Sequence, residues 1–204
     1  LHIEGQGVTI TQPVAILGED DATLDFTTAT AIEPPYAVDA AFRILGARNV
    51  RLEGLTIVAA GGIGGTGVLL EGAPSAKLLE NRITSFQFGI LVERADDALI
   101  VENRIEVTPD WQTGLVPEAH GIVVINGRDA RIRENKITGG FFGIWACDER
   151  GQLVRNEVSE SLIGIILCKV PEGAFLIGGV PTGAQQSAVE WTTRDNDCHD
   201  NFDV

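Results

Sequence analysis

Ala76-Lys-Leu-Leu-Glu-Asn-Arg-Ile-Thr84 recurs as Ala98-Leu-Ile-Val-Glu-Asn-Arg-Ile-Glu106 and as Ala130-Arg-Ile-Arg-Glu-Asn-Lys-Ile-Thr138. A weaker copy is Gly151-Gln-Leu-Val-Arg-Asn-Glu-Val-Ser159. Gly-Ile/Val strands alternate with these segments: Gly67-Val-Leu-Leu70, Gly89-Ile-Leu-Val92, Gly121-Ile-Val-Val124, Gly143-Ile-Trp-Ala146 and Gly164-Ile-Ile-Leu167. Asn81, Asn103, Asn135, Asn156 and Asn196 are spaced by 22, 32, 21 and 40 residues, which a base period of 21–22 with two insertions explains. Fixed periods of this length are the signature of repeat architectures.

Within each unit the apolar residues alternate with period 2 and show no helical spacing. Two or three short strands per unit, joined by turns, coil the chain so that like strands stack in parallel about 4.8 Å apart. The repeated asparagine then sits in a turn, where its amide can bond the same amide one coil away and satisfy groups that a buried turn would orphan. Read backward, Ala41–Ile44, Val50–Leu52 and Leu55–Ile57 form an earlier coil with Leu55 in the asparagine slot.

These units resemble the right-handed parallel β-helix proteins of the pectin-lyase-like superfamily. The resemblance covers roughly residues 41–204, with Val8 to Phe26 as a lead-in coil. It implies an all-β solenoid of about six coils in one domain over residues 1–204. The rival is a leucine-rich repeat, whose L-x-L-x-x-N-x-L core Leu78, Asn81 and Ile83 also fit. That repeat wants further leucines and a helical or elongated return. The β-branched Gly-Ile-x-Val strands and units that swell from 22 to 40 residues favour the β-helix.

Composition narrows the function classes. Lys+Arg number 15 against 29 Asp+Glu, a net charge of −14, which disfavours a broad nucleic-acid surface. No apolar run approaches the ~18 residues that cross a bilayer. Three cysteines without CxxC spacing argue against a zinc site or a disulfide framework. The chain has no Met, position 1 included, and the last unit lacks its Gly-Ile strand; both read as excision from a longer protein.

Long connections lie at residues 27–40, 58–66, 107–119 and 169–187, and long loops on a regular scaffold are where function usually sits. The 107–119 loop supplies Trp111 as an aromatic platform and Asp110 and Glu118 as the acid or base of general catalysis. His120 adjoins it and is the third catalytic candidate, although its row (Thr66, Phe88, His120, Phe142, Ile163) reads first as an internal aromatic stack. Arg82, Arg104 and Lys136 form a cationic row beside Glu80, Glu102 and Glu134. It is either a surface ladder of weak ion pairs or a track for an acidic sugar chain. The outward row Leu69, Leu91, Val123, Trp145 and Ile166 is apolar where a surface strand should be polar. It is expected to be buried by residues 169–187 or by an oligomer contact. Cys147 and Cys168, one coil apart, read as two apolar thiols in preference to a disulfide or metal pair. Asp195, Asp197, His199, Asp200 and Asp203 admit calcium but are explained more simply as turn residues; no metal or other cofactor is assigned.

The superfamily implies lyases, hydrolases and epimerases as well as non-enzymatic proteins. The Asn-Thr-Asp, Gly-His-Gly and Arg-Ile-Lys series of a polygalacturonase is absent, as is the Asp-Pro-His-Asp of an alginate epimerase. No clear row of three aspartates with an apposed arginine marks a pectate lyase, so no catalytic residue is carried over. The expectation is an extracellular or periplasmic β-helix that binds or processes an extended, acidic polysaccharide or oligosaccharide. The alternative is a non-catalytic module that associates through Leu91, Val123, Trp145 and Ile166.

Overall fold

The computed structural model describes residues 7–19, 22–27, 40–60, 65–107, 119–167 and 190–201. Its regular elements are all strands, three to a coil. The first coil is β1 (Val8–Ile10), β2 (Ala15–Leu17) and β3 (Thr23–Thr27); the second is β4 (Ala40–Leu45), β5 (Arg51–Glu53) and β6 (Thr56–Ala60). The third is β7 (Thr66–Glu71), β8 (Lys77–Leu79) and β9 (Arg82–Thr84); the fourth is β10 (Phe88–Glu93), β11 (Leu99–Val101) and β12 (Arg104–Glu106). The fifth is β13 (His120–Arg128), β14 (Arg131–Arg133) and β15 (Lys136–Thr138); the sixth is β16 (Phe142–Glu149), β17 (Gln152–Val154) and β18 (Glu157–Ser159). The seventh is β19 (Ile163–Leu167), β20 (Thr192–Arg194) and β21 (Asp197–His199).

Every third strand pairs in parallel, which gives three sheets of seven strands: β1 to β19 (sheet A), β2 to β20 (sheet B) and β3 to β21 (sheet C). The parallel β-helix read from the repeats is therefore present, with seven coils against the six expected, because the lead-in segment closes a full coil of its own. Helices on the return side, which a leucine-rich solenoid requires, do not occur among the described residues.

The core is the inner row of each sheet. Val68, Ile90, Ile122 and Ile144 line sheet A, Leu52, Leu78, Ile100, Ile132 and Leu153 line sheet B, and Ile57, Ile83, Ile105, Ile137 and Val158 line sheet C. All are 0–1% exposed. Each such side chain, once buried, contributes on the order of 1.5–3 kcal/mol, so the repeat's Ile/Leu/Val positions supply the main driving force.

The repeated glycines have a steric cause. A Cβ on Gly121 would lie 2.4 Å from the Gly143 carbonyl oxygen and 2.4 Å from the Ile137 Cγ2 methyl. Gly89 meets Gly121 and Ile105 in the same way. At this corner the backbones of successive coils and the sheet C isoleucines fill the space that a side chain needs.

Asparagine secures the opposite corner. The residue before each ladder position holds the left-handed conformation (φ 54° to 56° at Glu80, Glu102, Glu134, Arg155 and Asp195), which turns the chain sharply between sheets B and C. The asparagine after it faces inward and is 1% exposed at positions 81, 103, 135 and 156. The backbone N–H and Nδ2 of Asn103 both donate to Asn135 Oδ1 at 3.0 Å, and Nδ2 also donates to the Leu78 carbonyl at 2.9 Å. Asn81, Asn135 and Asn156 repeat the pattern toward Asn103, Asn156 and Asn196. Leu55 occupies the slot one coil earlier and keeps only the backbone bond, its N–H donating to Asn81 Oδ1 at 3.1 Å.

Two stability predictions follow from these corners. Asn103→Leu removes the shared acceptor of the Asn81 N–H and Nδ2 and the amide donor to the Leu78 carbonyl, and should lower unfolding free energy by roughly 2–5 kcal/mol. Gly121→Ala should lower it by about 2 kcal/mol or more through overpacking. Urea titration of each variant, followed by far-ultraviolet dichroism, measures both losses.

Candidate functional site

Sheet C presents the cationic row in register. Arg82 lies opposite Arg104, Arg104 opposite Lys136, and Lys136 opposite Glu157, each one coil from the next. Their side chains retain 50%, 55% and 47% of their exposure. The ion pairs differ from the expected ladder, because Glu80, Glu102 and Glu134 sit on the left-handed corner residues. Arg82 and Arg104 instead share Glu106, at 3.3 and 2.8 Å, and Lys136 pairs with Glu157. Glu134 turns to Arg155, whose hydrogen bond holds its carboxyl below the usual range. Arg82 and Arg104 thus share one carboxylate on this face, while Glu80 and Glu102 are exposed at the adjoining corner. The hydroxyl-bearing Thr84 and Thr138 flank Glu106 in the adjoining row.

Asp110, Trp111 and Glu118 lie outside the described residues, as do Cys168, Asp203 and residues 169–187. The structure therefore brings together the three cations of the expected binding set and shows no relation between them and the loop carboxylates.

His120 is described, and it is placed on the other side of the strand from the expected one. The row pairs as read, Phe88 with His120, His120 with Phe142 and Phe142 with Ile163. The stack nevertheless lies on the outer face of sheet A, in a second apolar cluster with Leu69, Leu91, Val123, Trp145 and Cys147. The cause is the glycine corner: with Gly89, Gly121 and Gly143 turned against the sheet C side chains, the residue before each projects outward. The His120 ring stacks on Phe142 (5.3 Å, 14°), tilts against Phe88 (5.1 Å) and meets Trp145 edge-on (5.8 Å). It is 0% exposed, and among the described residues neither ring nitrogen has a hydrogen-bond partner. Burial pushes its pKa from 6.5 to about 3, so the imidazole is neutral. Such a group has neither the partner nor the access that general acid–base work requires.

The outer face itself is buried as expected. Leu69, Leu91, Val123 and Trp145 are 4%, 8%, 2% and 8% exposed, and Ile166 packs against them partly buried. Cys147, on the same face, is disulfide-bonded, which corrects the reading of an apolar free thiol; Cys198 is free and exposed. In the last coil, His199 bonds Asp200 at 3.0 Å and Arg194 pairs with Asp195 at 3.3 Å. Among the described residues no group of three or more His, Cys, Asp and Glu is placed to hold a metal ion.

One titratable group escaped the sequence reading. Asp148 occupies the inward corner position held by Ala47, Ala73 and Ala95 in earlier coils, and it is 0% exposed. Its Oδ1 fits because the facing residue is Gly127, whose Cβ would come within 3.2 Å. The N–H groups of Glu149, Gly127 and Ala130 lie near the carboxyl, yet none closes a hydrogen bond of normal geometry. Burial dominates and raises its pKa from 3.8 to about 7, with Asp96 adding a smaller push. An aspartate in a row of alanines was the available signal.

His120 and Asp148 bend stability in opposite directions with pH. Below 6.5 the unfolded chain protonates its histidine while folded His120 stays neutral to about 3, so this contribution is lost as pH falls from 6.5 to 3. Folded Asp148 keeps its proton to about 7 while the unfolded chain releases it near 3.8, so stability falls as pH rises across that window. Each slope is at most about 1.4 kcal/mol per pH unit. Denaturant titrations between pH 4 and 7.5 should show the Asp148→Asn variant gaining stability relative to the parent as pH rises. His120→Phe should lose stability relative to the parent over pH 4 to 6.5. Parallel profiles for all three proteins would refute both assignments.

No curated protein and no solved structure matches the chain. A family model described as a right handed beta helix region matches residues 13–163, from the turn between β1 and β2 to the start of β19. With three in-register parallel sheets and most of the sequence matched, the chain belongs to the right-handed β-helix family.

Proposed function

We propose that this β-helix binds an extended acidic polysaccharide along the outer face of sheet C, outside the cytoplasm. The observation that carries the reading is the in-register, exposed row Arg82–Arg104–Lys136 with only Glu106 between its two arginines. A polymer of sugar acids presents carboxylates at regular intervals, and stacked cations about 4.8 Å apart offer a matching set. Guanidiniums take carboxylates with two N–H groups at once. The net charge of −14 does not decide against it, because salt screens charges beyond about 8 Å and leaves the local row dominant. The disulfide at Cys147 favours an oxidising, extracellular or periplasmic location.

Any lyase, hydrolase or epimerase step in this reading falls to Asp110 and Glu118, since His120 is sealed and neutral. The second reading, association through Leu91, Val123, Trp145 and Ile166, draws on the breadth of the apolar outer face. It requires that face to open, because the first three side chains are already at most 8% exposed in a single chain.

Calorimetric titration with polygalacturonate and with a neutral glucan at 0.15 M salt tests the proposal. The parent should bind the acidic polymer alone. Changing Arg82, Arg104 and Lys136 together to Gln should weaken binding at least about tenfold, equivalent to about 1.4 kcal/mol, with little change in stability because surface ion pairs contribute little. No binding by the parent, or equal binding by the triple variant, would contradict it.

A further inference from the structure

Asn126-Gly127 is the one Asn-Gly pair in the sequence, and it stands at an irregular place in sheet A. β13 and β16 pair in register as far as Ile125 with Cys147, and again at Arg128 with Glu149. Between these points two residues of β13, Asn126 and Gly127, oppose the single residue Asp148, which makes a β-bulge. Asn126 holds the left-handed conformation (φ 59°), as Gly46, Gly72 and Arg94 do at the same position of the three preceding coils. Asparagine tolerates that conformation better than most side chains. Where the ladder asparagines are sealed in the core, Asn126 is only half-buried.

The Asp148 carboxyl occupies the space that glycine leaves at position 127, where a Cβ would meet its Oδ1 at 3.2 Å. The Gly127 N–H is one of the three amides near this carboxyl, and neither oxygen has a hydrogen bond of normal geometry among the described residues. The other charges of this corner are paired or lie further along it. Asp96, from the coil before, holds Arg128 at 3.3 Å, and Asp129 holds Arg150 at 3.1 Å, with Glu149 next in the chain. From the coil after, Trp191 Nε1 donates to the Asp148 carbonyl at 2.8 Å. A carboxyl buried without a counter-ion is a stronger base than an exposed one, and here it reaches a pKa of about 7.

We propose that Asn126 is a self-modification site, at which Asp148 acts as the general base that converts the asparagine to aspartate and isoaspartate. The Asp148 carboxylate takes the Gly127 N–H proton, and the freed amide nitrogen attacks Asn126 Cγ. A new N–Cγ bond closes a succinimide ring. The Cγ–Nδ2 bond breaks, and Nδ2 leaves as ammonia with the proton that Asp148 returns. One water then opens the imide at either carbonyl, giving aspartate or, with the main chain routed through Cβ and Cγ, isoaspartate. The net exchange is ammonia for water, so no oxidant or cofactor enters. Glycine suits the attacking position because its nitrogen carries no side chain beside it, and the bulge leaves this stretch outside the regular ladder. A base that gives up its proton near neutral pH is matched to such a transfer. The product places a further carboxylate next to Asp148 and Asp96, and the isoaspartyl form lengthens the main chain at the corner between sheets A and B.

Folded protein incubated between about pH 5.5 and 8.5, then digested for peptide mass mapping, reads the reaction. The peptide that contains Asn126 and Gly127 should gain the mass difference between an amide and an acid, and should become a substrate for isoaspartate-specific methylation. Peptides carrying Asn81, Asn103, Asn135 and Asn156 should stay unmodified, because their amides are held in the ladder. The parent's rate should bend near pH 7, where Asp148 gives up its proton. Asp148→Asn keeps the shape of the side chain and should slow the reaction at least about tenfold, a modest share of what a positioned base supplies, and the bend should disappear. No product at Asn126 in the folded parent, or the same rate and pH profile in both proteins, would overturn the proposal. Should Asp148→Asn fail to fold, the parent's profile decides alone: a rate that climbs in proportion to hydroxide through pH 7, without a bend, overturns it equally.

Discussion

A side-chain amide that bonds its own equivalent one coil away sets the geometry of this protein. The sharp corner between sheets B and C needs a residue in the left-handed conformation, and it leaves the next residue's backbone groups facing inward, where no water reaches them. Asparagine supplies two donors and an acceptor in a side chain short enough to lie in the corner. Every member therefore fixes the height and rotation of the coil above it. With the corner fixed, the Ile, Leu and Val rows fall into register, and the glycine corner across the core can close to backbone contact. Burial supplies most of the free energy, while the ladder makes one stacking register preferable to its neighbours.

Much of this was legible in the sequence because a solenoid converts period directly into contact. The recurrence of Glu-Asn-Arg/Lys-Ile put Asn81, Asn103, Asn135 and Asn156 in one column, and Leu55 could be placed in the same slot without coordinates. The row containing Phe88, His120 and Phe142 was legible for the same reason. Its side was not, because strict alternation along the strand assumes a regular pleat. Gly89, Gly121 and Gly143 interrupt that pleat at the corner, and the aromatic row turns outward. Ion-pair partners were equally invisible. Spacing shows that Glu102 and Arg104 lie on neighbouring coil positions, but a corner residue at φ 56° directs its side chain away from the strand that follows. Asp110, Trp111 and Glu118 belong to an insertion without counterpart in the other units, so the repeat carries no information about them.

The two outer faces of the molecule divide its chemistry. Sheet A turns aromatic, aliphatic and disulfide-bonded residues outward and buries them, and a neutral histidine within it packs between the rings of Phe88, Phe142 and Trp145. Sheet C leaves charged and hydroxylated residues in solvent, ordered by the same coil spacing that orders the core. Every strand of the solenoid has an outer as well as an inner face, and the two sheets treat the outer one differently. The proposed function draws on the second face, where charge is ordered along the coil axis and exposed.

Side-chain amide hydrogen exchange tests the central claim most directly, since the Nδ2 protons of asparagine are resolved one residue at a time. The directed ladder requires those of Asn81, Asn103, Asn135 and Asn156 to exchange only through global unfolding, and those of Asn196, at the end of the column, to exchange much faster. Equally fast exchange at all five positions would show that the amides do not hold the coils together, and would contradict the account.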